Sequence, residues 1–128
     1  AGQCLKVVEL ARDWATEREA FGQKITEFQA IGHKFAEMQM MTETSRLHTF
    51  HVAEMLDVGE DPVMETAIAK TLSTEYNLAV ADMGMQVMGG AGYMMGPIAR
   101  LYADARVGPI GGGSSEIMRN VIAKQLLR

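Results

Sequence analysis

Three consecutive glycines and the polar residues after them are the part of this 128-residue chain best suited to bind a ligand. Gly111–Gly113 offer backbone without side chains, so a ligand can approach closely and positive φ costs little. Ser114 and Glu116 then open an apolar run with helical spacing, which places unpaired helix N-terminal amides beside the glycines. Those amides favour phosphate, carboxylate or thioester oxygens. A flexible turn capped by Ser114 explains the same residues equally well.

Arg18 and Gln29 are further candidates, each with a structural alternative. Arg18 stands just before the first glycine break in the chain, at Gly22. Its guanidinium can bind a phosphate group there, or it can do no more than stabilise a helix end through the helix dipole. Gln29 can contact a ligand or complete a capping box with Thr26. Taken singly, both residues are better explained as structural.

The sequence predicts no metal site. His48 and His51 stand three residues apart, but no histidine has a Glu three residues before it, as carboxylate-bridged metal bundles require. We interpret both as surface residues. Gly90 and Gly92 follow a helix rather than a strand, which excludes a dinucleotide fingerprint.

Composition indicates a globular chain, with 48% hydrophobic and 22% charged residues. The net charge of −4 excludes a typical nucleic-acid-binding protein, and no apolar stretch is long enough to span a membrane. A single cysteine, Cys4, excludes an intrachain disulfide. We expect one domain over residues 1–128, and the lack of an initiator Met at Ala1 suggests a fragment of a longer parent.

Helical spacing predicts two helices in the first half of the chain. The first ends near Ala20 with Gly22 as a left-handed cap, and the second runs from an N-cap at Thr26 to Gly59. The apolar stripes expected to face the core are Leu5, Val8, Ala11, Trp14 and Ala15 in the first helix, and Phe28, Ile31, Phe35, Met38, Thr42, Leu47 and Leu56 in the second.

The second half predicts a further long helix and two shorter ones. Asp61 caps a helix that continues to Met88, where two glycines break it. A turn over Ala91–Gly96 precedes a helix at Pro97–Ala105, and the last helix covers Ser114–Leu127. No segment alternates long enough to form a sheet. The expected fold class is all-α, an antiparallel four-helix bundle.

Four blocks together resemble one protein family, the acyl-CoA dehydrogenases, in their C-terminal domain. Their order and spacing agree along essentially the whole chain. The blocks are REAFGQKITEFQAIGHKFAEM (residues 18–38), QVMGGAGYM (86–94), PIARLYADAR (97–106) and IGGGSSEIMRNVIAKQLL (110–127).

The resemblance implies that FAD is the cofactor, held at an interface of a homo-oligomer, a dimer or tetramer. Arg18 would reach the pyrophosphate of a neighbouring subunit's FAD. The residues implied to contact that neighbour's cofactor are Arg18, Phe21, Ile25, Phe28, Gln29, Gln86, Gly89 and Gly90. Ser114 and Glu116 would contact the FAD of the same subunit, and Gly111, Gly112 and Gly113 would line the acyl-CoA substrate.

The implied reaction is α,β-dehydrogenation of an acyl-CoA thioester, with removal of the α-proton by a glutamate and hydride transfer to the flavin. Gly112 occupies the position where many family members carry that glutamate. No catalytic residue is therefore assigned within the chain. The turn resembles the isovaleryl and long-chain type, in which the base lies on a helix segment upstream of residue 1.

Other functions remain open. The chain could belong to a degenerate FAD-binding subunit, be a non-catalytic helical interaction module, or derive from an acyl-CoA oxidase or CoA-linked reductase of the same fold. We expect the isolated chain to be inactive. The resemblance implies electron-transfer flavoprotein as the acceptor, and a bacterial cytoplasm or, alternatively, a mitochondrial matrix as the compartment.

Overall fold

The computed structural model describes residues 1–127, which form six α-helices, a two-stranded hairpin and a short 3-10 helix. In chain order the elements are α1 (Gly2–Glu17), β1 (Glu19–Ala20), β2 (Gln23–Lys24), the 3-10 helix (Ile25–Glu27), α2 (Gln29–Asp57), α3 (Val63–Met88), α4 (Gly90–Tyr93), α5 (Pro97–Arg106) and α6 (Ser115–Leu126). Within this range no helix combines the length and the apolar character that crossing a bilayer requires.

Helix α3 lies at the centre of the bundle and contacts α1, α2, α5 and α6. Its residues Val80 and Ala81 are fully buried, as expected for an apolar helix surrounded by others. α2 runs antiparallel to α3, because Met38 shares a core cluster with Val80 whereas Ile31 packs in a second cluster with Val87.

The remaining helices complete an alternating arrangement. α1 runs parallel to α3, since Cys4 Sγ lies 3.4 Å from Asn77 Oδ1 and Ala11 lies beside Gly84, further along both helices. α5 and α6 follow one another along α3 in the opposite direction, α5 beside its C-terminal half and α6 beside its N-terminal half. The predicted all-α class and antiparallel four-helix bundle are confirmed, with α5 and α6 together forming the fourth column.

Three helices pack closely together at Gly84 of α3. A Cβ atom at this position would lie 2.4 Å from Val7 Cγ1 of α1 and 3.1 Å from Ile98 Cδ1 of α5. Both neighbours are buried. The absence of a side chain at Gly84 therefore sets how tightly α1 and α5 pack on α3.

The connection between α1 and α2 differs from the prediction. α1 ends at Glu17 rather than near Ala20, and β1 pairs antiparallel with β2. The turn residues Phe21 and Gly22 have φ of 54° and 83°, the combination of a type I′ hairpin turn. Gly22 is thus a hairpin residue and not a helix cap. The expectation that no strands form is wrong for this one short ladder.

Two predicted side-chain caps are also wrong. Phe28 is the N-cap residue of α2, so Thr26 lies in the 3-10 helix and its side chain makes no capping bond to α2. α3 begins at Val63, whose amide donates to the backbone carbonyl of Asp61 at 2.9 Å rather than to its carboxylate. Backbone carbonyls therefore accept hydrogen bonds from helix N-terminal amides that the sequence analysis assigned to the side chains of Thr26 and Asp61.

Parts of the predicted core face solvent, and one predicted turn contains a helix. Leu5, Leu47 and Leu56 are 47%, 64% and 57% exposed. Cys4 and Val7 are the residues that α1 buries in place of Leu5. The short helix α4 begins at Gly90 and covers the first half of the segment predicted as a turn. The ends of α5 and α6 agree with the prediction to within one residue.

Candidate functional site

The first group of candidate residues lies where the hairpin meets the C-terminal end of α3. This group, the hairpin site, consists of Arg18, Phe21, Ile25, Phe28, Gln29, Gln86, Gly89 and Gly90. A cavity of about 440 Å³ opens here, and its lining includes Arg18, Ile25, Gly89 and Gly90. The structure thus brings four of the eight residues to one cavity, although they come from segments far apart in the sequence.

Arg18 and the glycines give this cavity a cation beside open backbone. Arg18 directly follows α1 in extended conformation, and within residues 1–127 no carboxylate forms an ion pair with it. Gly89 has φ of 59°, and a Cβ placed at Gly89 or Gly90 would meet no atom within 4 Å. A guanidinium without an internal partner, next to accessible backbone, suits a phosphate group.

Phe21 supplies an exposed aromatic ring at the hairpin turn. Its side chain is 97% exposed, and its φ of 54° is unusual for a bulky residue. The Phe21 ring lies edge-on to the Phe28 ring, with centroids 6.2 Å apart and planes at 85°. Phe28 itself packs against the core cluster that contains Ile25. Phe28 therefore supports Phe21, which can stack against a planar ligand.

Gln29 and Gln86 lie at the same end of the bundle but do not line the cavity. Both are exposed; Gln29 begins α2, and the Gln86 carbonyl accepts the Gly89 amide at 3.2 Å. Trp14 does line the cavity, although the sequence placed it in the core stripe. Its position in the last turn of α1, where its carbonyl accepts the Arg18 amide at 2.9 Å, is the signal that could have identified it.

The second group of candidates, the turn site, consists of Gly111, Gly112, Gly113, Ser114 and Glu116. Ser114 and Glu116 line a cavity of about 370 Å³ at the N-terminus of α6. Gly112 and Gly113 have φ of 64° and 93°, so the turn needs glycine at both positions. Gly112 has open space around it, and its backbone is accessible to a ligand.

Hydrogen bonds hold this turn from both sides. The Ser115 amide donates to the Pro109 carbonyl at 2.9 Å, and the Ile117 amide donates to Ser114 Oγ at 3.5 Å. The predicted cap at Ser114 is therefore confirmed. The ammonium of Lys70 on α3 donates to the Gly113 carbonyl at 2.5 Å. Lys70 was not predicted from the sequence as a site residue. The feature that could have identified it is a charged side chain within a mostly apolar helix.

The hairpin site and the turn site are separate on one chain. No residue lines both cavities. Lys70 beside the turn site and Gly89 beside the hairpin site are about 28 Å apart along α3, at 1.5 Å per residue. A ligand contact at one site therefore does not extend directly to the other within this chain.

The two histidines singled out in the sequence lie away from both sites. His48 is half-buried and His51 is exposed, and both line a shallow cavity on α2 with Leu47. Over residues 1–127, no three or more His, Cys, Asp or Glu side chains are grouped so that they could hold a metal ion.

Comparison with known proteins assigns the chain to a family. The model of the acyl-CoA dehydrogenase C-terminal domain matches residues 1–127. The chain belongs to the acyl-CoA dehydrogenase family. The mitochondrial short-chain specific acyl-CoA dehydrogenase of Bos taurus is 38% identical over 133 residues, which cover 100% of this chain and 32% of that protein. The chain thus spans about a third of the length of the curated relatives it matches.

Solved structures of acyl-CoA dehydrogenase relatives have the same fold. Butyryl-CoA dehydrogenase from Megasphaera elsdenii is 30% identical with a TM-score of 0.96, over 99% of this chain and 33% of that one. An FAD complex of PigA is 25% identical with a TM-score of 0.92, over 96% of this chain and 32% of that one. The bundle described above is therefore the C-terminal domain fold of the acyl-CoA dehydrogenases.

In this acyl-CoA dehydrogenase domain, the carboxylates that line the turn cavity are Glu75 and Glu116. Glu75 pairs with Arg119 at 2.8 Å. The Ser114 hydroxyl beside Glu116, followed by its own backbone amide, holds the pKa of Glu116 below its ordinary value. A lowered pKa weakens Glu116 as a proton acceptor, and the Glu75 carboxylate is already bonded to Arg119. Neither residue is suited to be a general base at neutral pH.

Proposed function

We propose that this chain is the C-terminal domain of an FAD-dependent acyl-CoA dehydrogenase that oxidises the α,β bond of acyl-CoA thioesters. The observation that carries the proposal is the pair of separate ligand-facing clusters on a domain of this family. The hairpin site offers a cation, an exposed ring and open glycine backbone, whereas the turn site offers a helix N-terminus and the open backbone of Gly112. The parent carries the N-terminal and middle domains that complete each site.

The residues at both sites fit FAD. Arg18 would hold the pyrophosphate and Phe21 would pack at the adenosine end, with Ile25, Phe28 and Gln29 beside it. The cofactor would lie against the end of α3 at Gln86, Gly89 and Gly90. Gly89 and Gly90 would allow its close approach, because they present no side chain to the open space. The bound cofactor supplies the hydride acceptor.

The turn site would contact the FAD of the chain's own subunit and the acyl-CoA substrate. Ser114 and Glu116 would face the cofactor, and the amides at the start of α6 favour its oxygen-rich part. Gly111, Gly112 and Gly113 would line the acyl group. The open space around Gly112 accommodates a bulkier acyl chain than a glutamate there would allow.

The general base lies outside this chain in the proposal. Gly112 has no carboxylate, Glu75 is paired with Arg119, and Glu116 has a lowered pKa. We place the base on the segment of the parent that precedes residue 1, as in isovaleryl-type members. A parent with no glutamate or aspartate facing the turn from that segment would instead be a degenerate FAD-binding subunit.

Separate half-sites on one chain support a homo-oligomer, dimer or tetramer, with FAD at the interface. The hairpin site of one subunit would then serve the cofactor whose other end meets the turn site of its neighbour. An apolar stripe on α2 supports self-association, since Met40, Leu47 and Phe50 share one face and are 62%, 64% and 60% exposed.

Electron-transfer flavoprotein is the proposed acceptor of electrons from the reduced flavin. A bacterial cytoplasm is the proposed compartment, with the mitochondrial matrix as the alternative.

Replacing Arg18 tests the cofactor contact in the full-length parent. A charge-assisted hydrogen bond contributes about 1.5–3 kcal/mol, so Arg18→Ala should raise the Kd for FAD about tenfold to a hundredfold. Equilibrium titration of the apoenzyme with FAD measures this. Arg12→Ala is the matched control, because Arg12 is exposed on α1 near Arg18 and, within residues 1–127, forms its ion pair with neighbouring Asp13 alone. Equal FAD affinity in both variants would refute the Arg18 assignment.

A further inference from the structure

Lys70 on α3 makes a long-range hydrogen bond to the glycine turn. It is half-buried on α3 between Ala67 and Thr71, which are buried, and its ammonium reaches the Gly113 carbonyl at 2.5 Å. Among residues 1–127 no carboxylate forms an ion pair with Lys70. A half-buried lysine usually directs its charge to an acid. This one directs it to a backbone carbonyl of the glycine turn.

The triple glycine has no side chains to fix its conformation, and within the turn segment the Gly111 amide donates to the Val107 carbonyl at 2.8 Å. Gly111–Gly113 have no side chains to pack, and glycine backbone has more conformational freedom than any other residue. A Cβ at Gly112 would meet nothing within 4 Å, and one at Gly111 would meet only the Val107 carbonyl, at 3.5 Å. The geometry of the turn must therefore come from contacts made by its backbone.

Three neighbouring residues of α3 hold the segment that contains the turn. Gly108 packs so closely on Thr74 that a Cβ there would lie 3.1 Å from Thr74 Cβ. Glu75 pairs with Arg119 after the turn at 2.8 Å. Both contacts lie outside the triple glycine, whereas the Lys70 bond ends on Gly113 itself. Lys70 is thus the α3 side chain that acts directly on the turn.

We propose that Lys70 is a positioning residue that fixes the Gly111–Gly113 turn and, through it, the first amides of α6. This inference rests on the proposed function, in which that turn lines acyl-CoA and the start of α6 faces FAD. Lys70 need not contact either ligand. Its bond to the Gly113 carbonyl sets where Gly112 and the Ser114 cap stand relative to them.

The test compares Lys70→Met with Lys70→Arg in the FAD-bound parent, since Met keeps the aliphatic stem and Arg keeps a charged donor. Lys6→Met is the matched control, because Lys6 is exposed and, in the part of the chain that the structure describes, pairs with Glu9 alone. Hydrogen–deuterium exchange measures directly how well the backbone amides of the turn are protected. Loss of a charge-assisted bond should speed exchange over residues 107–117 about tenfold in Lys70→Met, with no change in α1 or α2.

Steady-state kinetics give the second readout. A displaced turn should lower kcat/KM for acyl-CoA about tenfold to a hundredfold in Lys70→Met, because small misplacements of a reacting group are costly. Lys6→Met should match the unmodified enzyme, and Lys70→Arg should retain slow exchange and most of the activity. Unchanged exchange and kinetics in Lys70→Met would overturn the inference. Faster exchange throughout the bundle would overturn it too, by showing a general structural role.

The outcomes separate this inference from the proposed function. If the unmodified parent binds no FAD and oxidises no acyl-CoA, the proposed function fails. The exchange rates of residues 107–117 then still report whether Lys70 holds the turn. If the parent is active and Lys70→Met behaves like Lys6→Met, the proposed function stands and the positioning role is refuted.

Discussion

Glu116 lies at the point where α6 begins, and its surroundings favour the ionised carboxylate. The Ser114 hydroxyl is the main cause of its lowered pKa, followed by its own backbone amide and by Arg119 and Lys70. A negative charge in the first helical turn also complements the helix dipole. This residue therefore stabilises the turn site in its ionised form.

The lowered pKa of Glu116 predicts a pH dependence of stability. The stabilisation is fully present above the unfolded-state pKa, near 4.5, and is lost as pH falls through the lower folded-state pKa. Glu116→Gln should therefore lower the unfolding midpoint at pH 7, and the difference should shrink as pH falls below about 4.5. Denaturation of both proteins across this range measures it. Ser114→Ala should weaken the dependence, and a pH-independent difference would contradict the account.

At the scale of elements, residues with strong local preferences were predictable. Gly89 has positive φ and ends α3, Pro97 begins α5, and Ser114 caps α6, as the sequence indicated. The turn at Phe21 and Gly22 was not predictable, because a bulky residue seldom adopts positive φ and an Asn-Gly pair is the usual hairpin signal. Local propensity decides most helix ends but not this hairpin.

Whether an apolar residue of α2 is buried depends on which helices pack against its face of α2. Leu47 and Leu56 have helical spacing like Met38, yet Met38 is fully buried and both leucines are mostly exposed. Met38 shares a core cluster with Cys4 and Val7 of α1 and Val80 of α3, and among residues 1–127 neither leucine belongs to a core cluster. Spacing alone identifies an apolar stripe without showing what covers it.

The helix packing at Gly84 gives a prediction at the same scale. An added methyl group would collide with Val7 Cγ1, which is stiff and buried, so Gly84→Ala should lower the free energy of unfolding by about 1–3 kcal/mol. Gly32→Ala is the matched control on exposed α2 surface, where a Cβ meets nothing within 4 Å. It should raise stability by about 0.5–1 kcal/mol. Chemical denaturation distinguishes the two. Equal effects would contradict close packing at Gly84.

For the whole molecule, the family, the fold class and the separation of the two candidate sites agree with the proposed function. The sequence blocks indicated which residues matter, but not that Arg18 and Gly89 would share a cavity while Ser114 and Glu116 line another. The two cavities are separate because α3 carries the hairpin site near its C-terminal end and the turn site beside its N-terminal half. In the proposed function, the rest of the parent and a neighbouring subunit complete each site.

The most direct test is anaerobic mixing of the full-length parent with a panel of straight and branched acyl-CoA thioesters. The account predicts that the purified parent carries FAD and that at least one thioester bleaches the flavin absorbance, with formation of the α,β-unsaturated product. A parent that retains no FAD, or whose flavin no thioester reduces, would contradict the central claim that this chain is the cofactor-contacting domain of an active acyl-CoA dehydrogenase.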